Sequence, residues 1–582
     1  MSIISLSGIF LVLLVLLFIW IGIYYRKKAE SSEGFLLAGR SAPFWLLSCA
    51  YLGGALGGAS VSGFAGTGFS AGMSGVWPAI LPSIGCVAFI LIFARRLNYF
   101  GRENGAVTIT DFLCERYGEA VRIPAAIISL FRPAFLTGMQ FLAIAVALRV
   151  AFDWPLWLGV IVSAVVILLY LVTAGQYSAL VTQWIQGVIQ SIAIIVFSIM
   201  AFKLIGNTTS AVESFYAVLP PSFLDGLATN FSQFSVWFLT MGLFYLVDPW
   251  IYMWAYIGES PRISRNAQLA TNAANFFMLL IFTAGMAVAV AATNGIIQFP
   301  ADLTPDAMYS YMAMHETGAA VGTFLIVGLI MTIVSCGSSF AMNGVTILTN
   351  DIYNKVINKN ASDKQKVNAS RISLIIVVLF GIFGALWLPI LVPLWTLAQA
   401  IAISGLLAAV LSAWFWARST TAGAFTSIVG GGGVAIAFAG YAWVTTGSPG
   451  GLVHGIHACH VGLLVSIILM IVVSLATKAD GERALKTSYK ELGIKVIEHE
   501  EKTGTKAAPG VWGSLDATTW YSKFAWFMVL VLFIAHVVFV VLFKYEVIGH
   551  ITVWTSLISC IAMLIIFSFF GAKDLRKFNK MH

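Results

Sequence analysis

"SCAYLGGALGGASVSGFAGTGFSAG" occupies residues 48–72. The run is apolar enough to lie in lipid. Yet Gly53-Gly54 and Gly57-Gly58 fall in its middle, where glycine weakens a helix and lets backbone carbonyls face inward. The reading is a helix interrupted within the membrane. A second run, "MGLFYLVDPWIYMWAYIGESPR" at 241–262, carries Asp248-Pro249 in mid-span, and proline frees a carbonyl while clashing with the preceding turn. Two interrupted spans, one near the start of each half of a ten-helix set, point to a secondary transporter of inverted-repeat design with its site at the midplane. Close helix packing is the competing explanation for the glycines. The Asp-Pro break has no such competitor.

The whole composition agrees with a lipid solvent. Of 582 residues, 59% are hydrophobic and 10% charged, too few charges to give a soluble globule its polar skin. Apolar runs long enough to cross a hydrocarbon core of ~30 Å predict about 15 transmembrane helices. They fall near 3–25, 43–66, 75–95, 121–148, 155–174, 179–204, 233–257, 268–296, 318–350, 371–388, 391–416, 422–446, 456–477, 521–543 and 548–571. The expected division is an extra N-terminal helix in 1–34, a transporter core in 35–435, and C-terminal helices in 436–582 with a cytoplasmic loop at 479–520.

Charge sets the orientation. With the N-terminus outside and alternating spans, every Lys and Arg except Arg132, Arg149, Lys203 and Lys544 falls in or beside a cytoplasmic segment. That is the positive-inside pattern, so the expectation is a multi-pass protein of the cytoplasmic membrane with its C-terminus inside. The net charge of +8 reports topology, and no nucleic-acid role is assigned to it. No basic residue precedes the first span and no small-residue cleavage site follows it, so a retained helix is expected. Cysteines at 49, 86, 114, 336, 459 and 560 show no C-x-x-C pairing, which argues against a metal site or disulfide framework. Phosphate-loop and zinc-protease motifs are absent, so the chain reads as neither an enzyme nor an ATP-driven pump.

Five further stretches carry a resemblance: "GFAGTGFSAG" (63–72), "AVTITDFLCERYG" (106–118), "GQYSALVTQWIQGVIQ" (175–190), "SCGSSFAMNGVTILTNDIY" (335–353) and "AWFWARSTTAGAFTSIVGG" (413–431). In this order they resemble the solute:sodium symporter family, which includes sugar, proline, pantothenate, monocarboxylate and sialic acid carriers. The resemblance implies an all-helical, five-plus-five inverted-repeat core with discontinuous first and sixth core helices. It also implies a sodium ion between the first and eighth core helices. The ligands carried over are the carbonyls of Gly53, Leu56 and Thr332, with Ser335 and Cys336 as side chains. A neutral thiol is a poor donor for a hard cation, so one family hydroxyl is missing. A second family sodium site would use an aspartate where this chain has Gln183, beside Ser338 and Ser339. A neutral amide cannot balance the ion, so at most one sodium is expected, with proton coupling as the alternative.

Arg132 and Asp248 are the two charges well inside predicted spans, and such residues need a partner or a task. By the family register both are substrate-contacting positions, an arginine in the third core helix meeting a carboxylate in the sialic acid carriers. Ala59, Ser60 and Trp77 are expected to join them around the solute. Phe69, Trp250, Tyr252 and Trp254 are further aromatic candidates for the wall. A salt bridge that merely holds helices together is the alternative for the charged pair. The expected cargo is a small carboxylate-bearing solute, imported with a cation by alternating access. A zwitterionic amino acid is the nearest variant, and a transporter-like sensor that binds without accumulating is the different-class reading.

Overall fold

The computed structural model describes residues 3–25, 31–173, 176–479, 481–502 and 520–581. Within them the chain is helical, and the β contacts are two isolated bridges, Ala42 with Gly258 and Val453 with Ile456. Ten helices are long and apolar enough to cross a membrane, and two bent pairs raise this to twelve. Three shorter apolar helices, Val12–Tyr24, Leu156–Leu168 and Val529–Leu542, lie on other expected runs.

Both interruptions read from the sequence are present. The first core helix is Phe44–Ala55 followed by Ala59–Gly75, bent by 60°. At the break Leu56 is extended (φ −87°, ψ 110°) and a π-helical turn, Ala59–Gly63, restarts the chain. The sixth core helix runs from Phe231 to Ile257 but changes pitch twice before Asp248 (φ −69°, ψ 116°), whose carboxylate caps the Trp250 N–H at 2.9 Å. The glycines of the first helix also permit close packing. A Cβ on Gly57 would stand 2.5 Å from Cys336 Sγ, and one on Gly68 2.1 Å from the Phe282 carbonyl. Break and close approach are therefore both served by one run.

A third bend, of 59°, separates Trp77–Ile92 from Ala94–Asn104, and no glycine or proline lies at its junction. It coincides with the switch from apolar residues to "ARRLNYFGREN" at 94–104, an amphipathic arm. The arm closes one end of the core. Asn98 Nδ2 donates to the Ala255 and Gly258 carbonyls at 2.8 and 3.0 Å, and Arg102 Nη2 to the Arg40 and Gly258 carbonyls at 2.6 and 2.8 Å. Beside it Ala42 N donates to Ile257 O (3.3 Å) and Glu259 N to Ala42 O (3.1 Å). The segment before the first core helix and the end of the sixth are thus tied together.

The expected loop at 479–520 is partly helical, with Gly481–Thr487 and Tyr489–Lys502, while 503–519 lie outside the described residues. The second of these helices docks on the arm. Arg95 pairs with Glu500, and the Arg96 guanidinium sits 3.7 Å from the Tyr489 ring centroid.

Candidate functional site

At the centre, where the breaks of the first and sixth core helices face the eighth (Ala319–Ile357), lies a cavity of about 30 Å³. That is about the share of one water molecule. Ala59, Ser60, Arg132, Trp250 and Cys336 line it, as do Tyr245, Phe340 and Trp395, which the sequence reading did not single out. Trp77 stands apart: its indole N–H donates to the Gly226 carbonyl at 2.6 Å and its ring meets Phe234 edge-on. Tyr252 and Trp254 are buried elsewhere, Tyr252 accepting from Trp414 Nε1 at 3.1 Å and Trp254 packing on Tyr51.

Arg132 and Asp248 form a buried ion pair, Nη2 to Oδ2 at 2.7 Å, with side chains 1% and 0% exposed. Aromatic rings surround the guanidinium, with Phe340, Phe244 and Trp250 centroids at 4.7, 5.6 and 5.8 Å from Cζ. Such rings attract a cation while excluding water. Only one nitrogen of the fork is used. Arg132 Nε and Nη1 are buried with no hydrogen-bond partner, and donors of that kind are costly to leave unsatisfied. Arg132 borders the cavity while Asp248 does not, so the carboxylate holds the guanidinium from behind.

The expected cation ligands converge only in part. Ser335 Oγ donates to the Gly53 carbonyl at 3.1 Å, and Cys336 Sγ to the Gly54 carbonyl at 3.2 Å. The Gln183 carbonyl also approaches this point, lying 2.7 Å from where a Gly53 Cβ would be. The Ser335 hydroxyl and the Gln183 main-chain carbonyl therefore both lie close to Gly53, where the first core helix packs between the fifth (Gln176–Lys203) and the eighth, and oxygens are the donors that a hard cation takes. Leu56, expected to contribute its carbonyl, is at the break itself, and Thr332, expected to do the same, lies within the helix Ala319–Thr346. Cys336 borders the cavity as well as meeting Gly54, so one side chain touches both regions.

The residues of the second family site are otherwise engaged. Ser338 donates to Ser335 O at 2.8 Å, and Ser339 accepts the Trp250 indole at 2.7 Å. The Gln183 amide is fully buried and neither of its polar atoms has a partner.

A network the sequence reading did not assign joins two of the quoted motifs. Thr108 Oγ1 donates to Asp351 Oδ1 at 2.8 Å, Asn350 Nδ2 to Asp111 Oδ2 at 2.9 Å, and Arg122 spans Asp111 (2.9 Å) and Asp351 (3.5 Å). It fastens the segment before the third core helix to the end of the eighth. The sequence signal was there, polar residues in "TITD" and "TND", but their partners lie more than two hundred residues apart.

Comparison with known proteins agrees with this architecture. The model of the Sodium:solute symporter family matches residues 35–431. The osmoregulated proline transporter OpuE of Bacillus subtilis (strain 168) is 25% identical over 499 residues, 84% of this chain and 96% of that one. A sodium/proline symporter of Staphylococcus aureus (strain JH9) is 26% identical over 487 residues, 80% of this chain and 92% of its own. Among solved structures, a Na+-coupled sialic acid symporter in a substrate-bound outward-open state aligns with TM-score 0.66 at 14% identity, covering 81% of this chain and 98% of that one; at this identity the likeness shows the fold. With two thirds of its length matched by the family model, this chain belongs to the sodium:solute symporter family, a multi-span membrane transporter that uses Na+ as its coupling ion.

Proposed function

We propose that the protein imports a small carboxylate-bearing solute, with a zwitterionic amino acid as the favoured class. The observation that carries this reading is the pair of unsatisfied donors on Arg132, which borders the cavity. Nε and Nη1 are buried with no partner and can each donate to an oxygen of an anionic solute, while Nη2 is held by Asp248. The proline-transporting names of the relatives favour an amino acid over a simple anion. In this reading Gly53, Leu56, Thr332, Ser335 and Cys336 surround the sodium, and Ala59 and Ser60 face the solute. Trp77 takes no part.

The steps follow from the geometry. Solute can be admitted only after the 30 Å³ cavity widens on the outer side, while the arm residues Asn98 and Arg102 keep the inner side shut. Sodium between Gly53 and Ser335 would hold the two helices together at the break, next to the solute through Cys336. Release requires the inner ties to part. The test is uptake of labelled proline and other small carboxylates into proteoliposomes with an inward sodium gradient. Accumulation abolished by dissipating that gradient is expected; binding without accumulation would overturn the reading.

A further inference from the structure

A second, larger cavity, of about 800 Å³, opens on the cytoplasmic side, walled by 31–40, 105–107, Glu119 and the stretch 350–366. None of its walls comes from the fifth or sixth core helix, so it is separate from the central site. Its charges are unequal once partners are counted. Glu33 is taken by Arg40 Nε at 2.7 Å, Glu119 by Arg122, and Asp363 lies 3.9 Å from Lys366. Lys355 and Lys359 border the cavity and form no ion pair among the described residues.

Arg40 supplies the independent pointer. Its side chain is 9% exposed, with Nε on Glu33 and Nη2 on the Ala106 carbonyl at 2.8 Å, yet the buried Nη1 has no partner. The residue stands in left-handed backbone (φ 52°) after Ala38 (φ 49°) and Gly39 (φ 63°), a conformation that side-chain-bearing residues adopt at a cost. Two of its nitrogens are held by these partners and the third donates to nothing, while the residue itself borders the cavity. An unsatisfied guanidinium donor beside two exposed ammonium groups is an arrangement that takes a multivalent oxyanion.

The geometry points to a binding site for a phosphate-class anion in this cavity, supplied either by a free cytoplasmic phosphate compound or by an anionic lipid headgroup. Bound there, the anion bridges Arg40, just before the first core helix, and Lys355 and Lys359, at the end of the eighth. It therefore favours the form closed to the cytoplasm and slows release.

The experiment uses the full chain in neutral detergent, titrated with inorganic pyrophosphate at constant ionic strength, and the same protein in phosphatidylcholine vesicles with and without phosphatidylglycerol. Binding is read as a shift in the unfolding midpoint, and closure as slower sodium-driven uptake. The comparison protein is Lys355→Gln/Lys359→Gln, both exposed positions. Each lysine near an anionic group is worth about fivefold, so the double variant should weaken the response roughly 25-fold. A saturable response to pyrophosphate that the variant weakens supports a free phosphate ligand. A response confined to phosphatidylglycerol, and weakened in the same way, supports the headgroup. No response in either arm, or equal responses from wild type and variant, overturns the site.

Discussion

Ser335 reaches across the break of the first core helix and donates to the Gly53 carbonyl at 3.1 Å. The hydroxyl and the carbonyl that would share a sodium ion are already opposed, and beside them a thiol, Cys336, occupies the matching place against Gly54.

Replacing that sulfur is the first prediction. Cys336→Ser restores an oxygen donor of similar size, which a hard cation prefers. Half-saturation by sodium should fall, measured as solute uptake against external sodium. An unchanged or weaker sodium response would remove the thiol from any role in the cation site.

Arg132→Lys keeps the charge and the means to pair with Asp248 but removes the unpartnered Nε and Nη1 donors. Losing a charge-assisted hydrogen bond costs about 1.5–3 kcal/mol, so half-saturation for solute should rise about 10- to 150-fold. Arg132→Ala should also destabilise the protein by about 3–5 kcal/mol, because Asp248 is then buried without its partner. Normal solute affinity in the lysine variant would contradict the carboxylate assignment.

Arg102→Ala tests the inner closure. Its guanidinium holds the Arg40 and Gly258 carbonyls, and hydrogen bonds to a charged group are worth about 1.5–3 kcal/mol. Amide exchange at Ala42 and Glu259, whose N–H groups make the adjoining tie, should accelerate about 10- to 100-fold. Unaltered exchange would mean that the arm does not control this face.

Acid should loosen the N-terminal end of the helix Ala458–Ala476. His457 caps it, its Nδ1 accepting from the Cys459 N–H at 3.3 Å, while His460 Nδ1 accepts from the His457 N–H at 3.1 Å and His460 Nε2 meets Ser235 Oγ at 3.0 Å. An accepting Nδ1 must be unprotonated. Burial first, and then the neighbouring His460, pull His457 from 6.5 down to about 4. The unfolded chain therefore takes up a proton that the folded cap refuses. This stability is complete above pH 6.5 and declines as the pH falls toward about 4. His457→Asn, a neutral cap, should lose less of its unfolding midpoint over that interval. Equal losses would show that the cap is not the acid-sensitive element.

Legibility followed the range of the interaction. Gly57-Gly58 and Asp248-Pro249 act on their own backbone, so both breaks could be read directly from the residues. Arg132 and Asp248 could be matched because lipid leaves buried charges few partners. The bend after Ile92 was missed because no glycine or proline marks it, although Arg95 and Arg96 stand at the switch from apolar residues. Trp77 was drawn into the site by residue type alone, and the Gly226 carbonyl holds it elsewhere. The link from Thr108 and Asp111 to Asn350 and Asp351 needs two distant segments to meet, which no local pattern specifies.

The pairing of Arg132 with Asp248 also bears on how the membrane potential acts. A lone guanidinium moved through the field would feel up to about 2.3 kcal/mol per 100 mV, and an unloaded carrier would be driven toward one face by its own arginine. With the carboxylate at 2.7 Å the two charges cancel within the site. A pair that stays joined while the empty carrier reorients is neutral in the field, so voltage then acts on the limb of the cycle that carries sodium.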